Sequence, residues 1–151
     1  MKGQAIQDRW PEIGTHCWGC GRNNAHGLQI KSYWEHDEAV CTWKPKDYHL
    51  AFPGVLNGGI IATLIDCHSL NTAIAVAYRA AGREIGSEPL LGYVTGSLHV
   101  NYLRPTPMER PIVLRARAKT MSENKIVVTC SLLADGKECA TGEVVAVRVR
   151  D

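Results

Sequence analysis

The apolar positions of this chain follow two different periods. Between Ile60 and Ala77 they recur on nearly every side of a helix: Ile60, Ile61, Leu64, Ile65, Leu70, Ala73, Ile74, Val76 and Ala77. A helix that is apolar around most of its circumference is buried around most of it. Asn57 precedes the run as an N-cap whose side chain accepts from a first-turn amide. Gly82 follows it as a left-handed C′ residue, and Arg79 in the last turn suits the helix dipole. Elsewhere the period is two. Ile112, Leu114, Ala116 and Ala118 alternate with Val113, Arg115, Arg117 and Lys119, as a sheet with one wet face requires. Strands are also predicted over Gly92 to Arg104, closed by Pro105, and over Ile126 to Leu133 and Glu138 to Val149. Asp135-Gly136 joins the last two as a hairpin turn. Ahead of the helix, Leu28 to Trp34 and Ala39 to Trp43 read as two strands around a polar turn, followed by a loop from Pro45 to Val55. Residues 1–27 are broken by Pro11, Gly14, Gly19, Gly21 and Gly27 and read as an arm packing on a single domain over 28–151. Two strands, one long helix and four strands give an α+β domain in which an antiparallel sheet wraps a central helix.

Composition narrows the partners. A chain of 151 residues, 45% hydrophobic and 21% charged, has the makeup of one soluble domain with a real core. A formal charge of +2 without a lysine-arginine run argues against nucleic acid. The stretch from Ile60 to Tyr78 approaches membrane-span length, but Asp66, His68 and Asn71 are costly in lipid, so no membrane is expected. Met1 to Ala5 carries no apolar signal core, and the six cysteines are expected to be reduced thiols in the cytoplasm.

The chemistry concentrates at Asn57-Gly58-Gly59 and Asp66. The first amides of a helix lack intrahelical partners, and the dipole leaves partial positive charge there. Glycines at that point let a carbonyl oxygen reach bare amides, an arrangement that stabilises the oxyanion of acyl transfer; the alternative is tight packing at a loop-to-helix junction. Asp66 is an isolated acid in an apolar run, which suits a general base, against a structural role with hydrogen-bonded partners. Eight residues separate Gly58 from Asp66, about 12 Å along a helix axis, too far for both to serve one carbonyl. Two antiparallel helices in a two-fold dimer bring Gly58 of one chain to Asp66 of the other. A homodimer with two interface sites is therefore expected, alone or as a dimer of dimers.

The runs Pro53-Gly54-Val55-Leu56-Asn57-Gly58-Gly59, Thr63-Leu64-Ile65-Asp66 and Thr95 to Pro105 together resemble the phenylacetate-degradation-type (PaaI-like) hotdog thioesterases. Asp135 to Gly142 and the early Cys17-Trp18-Gly19-Cys20-Gly21 fit as well, so the resemblance covers the chain from about Cys17 onward. It implies the hotdog fold and hydrolysis of an acyl-coenzyme A. It assigns carbonyl polarisation to the Gly58 amide, the general base or nucleophile to Asp66, and a water-holding hydroxyl to Thr95, against an ordinary strand residue there. Period-two alternation sets Thr95 on the face opposite Val94 and Gly96. Asn57, Gly59, Asn71 and Arg104 are the candidate substrate-binding residues, with Arg104 offered to coenzyme A phosphates against plain solvated charge. Asn71 borders the acyl pocket or is an amide buried with partners. The sequence departs from the family at Asn57, where His is usual, and at Ala51, where some relatives carry Asn.

No cofactor is implied, since coenzyme A is part of the substrate. Cys17-x-x-Cys20 lacks a second pair, so no metal is expected, and the glycine-rich turn is read as docking the arm on the sheet. Cys67 and Cys130 are read as small core residues, and His68, about 200° around the helix from Asp66, as a hydrogen-bonded core or interface residue. Two other functions compete with hydrolysis: a hotdog hydratase or dehydratase using His49 with an acid, and a non-catalytic acyl-coenzyme A binding protein.

Overall fold

The apolar run forms a single helix because both of its ends are chemically marked. In the computed structural model, which describes residues 3–150, helix α1 spans Gly58–Ala80. The Asn57 side chain accepts from the amides of Gly59 at 2.8 Å and Ile60 at 3.1 Å. At the other end Gly82 adopts φ +66°, and the Arg83 amide closes back on the Tyr78 carbonyl at 3.0 Å. That left-handed reversal satisfies carbonyls the helix leaves orphaned.

Six strands surround it: β1 Tyr33–Glu35, β2 Glu38–Trp43, β3 Tyr93–Tyr102, β4 Ile112–Met121, β5 Lys125–Ala134 and β6 Lys137–Arg148. They form one sheet in the order β1-β2-β4-β5-β6-β3, antiparallel throughout. Asp135 and Gly136 both take positive φ, 51° and 73°, as the tight β5–β6 hairpin demands. Helix α1 lies across β3 to β6. Leu64, Ile65 and Ala73 of the helix and Leu114, Val128, Leu132 and Val144 of the sheet are buried in the shared core. The close seating depends on Gly142 of β6, because a Cβ there would overlap the Ile65 side chain. The expected helix wrapped by an antiparallel sheet is the observed architecture.

Two local features depart from the sequence pattern. Leu28 to Ser32 is not strand. Gln29 takes φ +56°, and the Leu28 and Ile30 amides bond instead to the carbonyls of Trp18 and Gly19. The alternation of β3 also breaks. Thr95 pairs with Ala146 and Ser97 with Val145, leaving Gly96 as a bulge. A bulge shifts the facing of all later residues by one. Thr95 and Tyr102 differ in parity, yet both reach helix α1.

Before the sheet, Ile6–Arg9 and Glu12–Gly14 form short 3-10 turns. Ile6 is buried against Ala39 and Ala75, and its amide donates to the Ser32 carbonyl at 2.8 Å. The glycine-rich turn docks on the helix rather than on the sheet. A Cβ at Gly19 would overlap the Cys67 sulfur and press on Thr63.

Candidate active site

Asp66 sits two turns into α1, half-buried, facing β3. The Thr95 hydroxyl donates to its Oδ1 at 2.6 Å. Oδ2 has no protein partner among the described residues. Burial pushes the carboxyl above its ordinary range; the Thr95 bond opposes that rise and the nearby Cys17 sulfur adds to it. The acid borders a cavity of about 300 Å³, whose wall includes Leu70, Ile74 and Tyr93 from the domain and Trp10, Ile13 and Gly14 from the arm. A carboxylate with one oxygen fixed and the other free, beside an apolar cavity, is equipped to hold and deprotonate water or to attack a carbonyl itself.

At the start of the helix the amides are unequally disposed. Asn57 Oδ1 occupies those of Gly59 and Ile60, and the Ile61 amide bonds to the Asn57 carbonyl. Gly58 N–H alone has no partner among the described residues. Gly59 therefore has no amide to offer a substrate, and Asn57 is spent as a cap; the free donor is Gly58. Tyr102 Oη donates to the Gly58 carbonyl at 2.7 Å and fixes the plane of that first residue. Gly58 opens onto a separate cavity of about 460 Å³ that includes Phe52, Ile61, Tyr102 and Arg104. Arg104 follows β3, is exposed, and makes no side-chain bond among the described residues. Within one chain, Gly58 and Asp66 thus face different cavities.

Asn71 lines the Asp66 cavity, but its amide is committed elsewhere. Trp10 Nε1 donates to its Oδ1 at 2.9 Å, and its Nδ2 donates to the Cys67 carbonyl at 2.8 Å and reaches Cys20 Sγ at 3.5 Å. His68 points the other way, into the core. Its Nε2 donates to the Ala39 carbonyl at 2.9 Å, and its Nδ1 meets Ser32 Oγ at 2.7 Å. His49 accepts the Lys46 amide on Nδ1 at 2.9 Å and packs on Trp43 and Tyr48, away from the Asp66 cavity. It is a turn residue that does not line the cavity of Asp66.

Cys67, expected from its apolar surroundings to be a small core residue, has a different setting. It is not a plain core residue: its Sγ lies 3.8 Å from Cys17 Sγ, and all three of Cys17, Cys20 and Cys67 line the Asp66 cavity. A larger trough of about 600 Å³ crosses the solvent face of the sheet, but its charges pair with one another, as Arg115 does with Glu38 at 2.6 Å.

Residues 53–141 match the family model described as thioesterase superfamily. The chain belongs to the thioesterase superfamily. A thioesterase superfamily protein from Shewanella loihica PV-4 is 36% identical, with a TM-score of 0.68 over 85% of this chain and 98% of that one. The PaaI protein of E. coli, from the phenylacetic acid degradation operon, shares the fold at a TM-score of 0.66 and 16% identity, over 82% of this chain and 81% of its own. Among curated proteins, the acyl-coenzyme A thioesterase THEM4 of Bos taurus is 25% identical over 114 residues, 74% of this chain. The chain spans 41% of that protein's length. The helix wrapped by six strands is accordingly the hotdog arrangement expected of this family.

Proposed function

We propose that this chain hydrolyses the thioester of an acyl-coenzyme A, releasing the free acid and coenzyme A. The observation that carries the reading is the Thr95–Asp66 pair, which leaves one carboxylate oxygen free beside an apolar cavity. Family membership and the likeness to an acyl-coenzyme A thioesterase support the same substrate class. In this reading the acyl group enters the Asp66 cavity. Asp66 Oδ2 takes a proton from water as the water oxygen attacks the carbonyl carbon. The carbonyl oxygen gains negative charge and receives the Gly58 N–H of the partner subunit, a contact worth roughly 100- to 1,000-fold in rate. The carbon–sulfur bond then breaks, and the departing thiolate recovers the proton. Direct attack by Oδ2, through a mixed anhydride that water later opens, uses the same ionised carboxylate.

The dimer belongs to this proposal. Its support is the separation of the Gly58 and Asp66 cavities, together with the open edge of β3, where Val94, Leu98 and Tyr102 are exposed. A ten-residue edge with apolar side chains is a pairing surface when left uncovered. Arg104 lines the Gly58 cavity, and in this reading its guanidinium meets a coenzyme A phosphate. Departures at Asn57 and Ala51 leave polarisation to the Gly58 amide.

A panel of acyl-coenzyme A compounds, saturated and α,β-unsaturated, separates the chemistries. Free thiol should appear without hydration of the double bond. Hydration without thiol release would indicate the hydratase, and binding with neither reaction a carrier.

A further inference from the structure

The turn from Cys17 to Cys20 and the helix residue Cys67 bring three thiols to one point, although the residues are up to 50 positions apart. Their sulfurs all lie within 4.8 Å of one another, and Cys17 and Cys67 are 3.8 Å apart. A tetrahedral ion with metal–sulfur bonds of about 2.3 Å requires sulfur–sulfur edges of about 3.8 Å. The Cys17–Cys67 separation equals such an edge, and the other two sulfur–sulfur distances lie within an ångström or so of it. Two glycines maintain it. Gly19 lets the turn lie directly on the Cys67 sulfur, and Gly21 closes the turn, its amide bonding to the Cys17 carbonyl at 2.8 Å.

A further observation points to a ligand. Asn71 Nδ2 reaches Cys20 Sγ at 3.5 Å and is itself held by Trp10 and the Cys67 carbonyl, the outer-shell support that orients metal-bound thiolates.

We propose that Cys17, Cys20 and Cys67 form a binding site for one soft, thiophilic cation of the zinc class. An all-sulfur set selects such ions against magnesium or calcium. Three protein ligands leave a fourth position, which borders the Asp66 cavity. Binding forms three metal–sulfur bonds and releases the thiol protons to solvent. The bound ion ties the arm to α1, and because Trp10, Ile13 and Gly14 wall the cavity, it fixes the shape of that wall. The expectation of no metal counted ligands along the sequence; the third lies on the helix.

The test uses the full chain, reduced and stripped with a chelator, then titrated with Zn²⁺ against a chromophoric competitor and with Cd²⁺ by ultraviolet absorption. One equivalent per chain should bind, with a thiolate-to-cadmium charge-transfer band. Asn71→Ala should weaken Zn²⁺ by about 10-fold or more, and Cys67→Ser or Cys17→Ser by more still. Cys17 is exposed on the arm, so its variant keeps the test valid if Cys67→Ser fails to fold. Cys139→Ala, outside the cluster, should bind as the parent does. No uptake at micromolar Zn²⁺, or equal affinity after both serine substitutions, would overturn the proposal.

Discussion

The proposed two-chain site makes a quantitative prediction through subunit mixing. Gly58→Pro removes the free amide and little else. Gly58 is the first helical residue, where proline is favoured and its missing N–H costs no helix bond. Asn57 already holds φ −60° and ψ 133°, the extended conformation that a following proline requires. Its cap bonds to Gly59 and Ile60 are untouched. Losing the oxyanion donor should lower kcat by roughly 100- to 1,000-fold. Asp66→Asn removes the base from the other half-site, for a loss of roughly 100- to 10,000-fold. Co-expressed in equal amounts, the two variants should yield about half mixed dimers, each with one intact site of two, so activity should recover to roughly one quarter of wild type. Differential tags and native mass spectrometry would establish the mixed species, and thiol release would report the recovery. Mixed dimers that stay at the floor of the parents would refute the shared site, as would a fully active isolated monomer.

Other consequences follow from single contacts. Thr95→Val removes the bond that favours ionised Asp66, so the acid limb of kcat/KM should move to higher pH; an unmoved limb would detach Thr95 from the acid. Buried His68 has its pKa lowered to about 4 by desolvation. The unfolded chain gains that proton below about 6.5 while the folded chain resists until about 4, so stability should fall through this window by about 3 kcal/mol. Urea melts should show that slope in wild type and its loss in His68→Gln. Gly142→Ala drives a methyl into Ile65 and should cost about 1–3 kcal/mol in the same melts, with no gain in activity.

Much of the fold was legible because burial writes itself into periods. The helix between Asn57 and Gly82 and the alternation from Ile112 to Lys119 needed only local chemistry to read. What escaped depends on contacts distant in sequence. Leu28 to Ser32 has strand-like composition, but Trp18 and Gly19 claim its amides and Gln7 holds Ser32 through its amide at 2.7 Å and hydroxyl at 2.9 Å. The Gly96 bulge is invisible to alternation because it appears only in the pairing with Val145 and Ala146. At the site, Asp66 and Gly58 stood out as residues at odds with their neighbours. Asn57 carried a capping signal, and only the bonds it makes reveal that it withdraws the Gly59 amide. Cys67 looked like any small apolar residue in a helix; its partners arrive from a turn 50 residues earlier.

In the proposed reaction everything turns on Asp66 as the group that performs the hydrolysis. Its most direct test is thiol release by Asp66→Asn beside wild type, with acyl-coenzyme A binding followed by calorimetry on the same samples. Hydrolysis should fall by roughly 100- to 10,000-fold while affinity stays close to wild type. Hydrolysis that persists in the variant at the wild-type rate would remove Asp66 from the reaction.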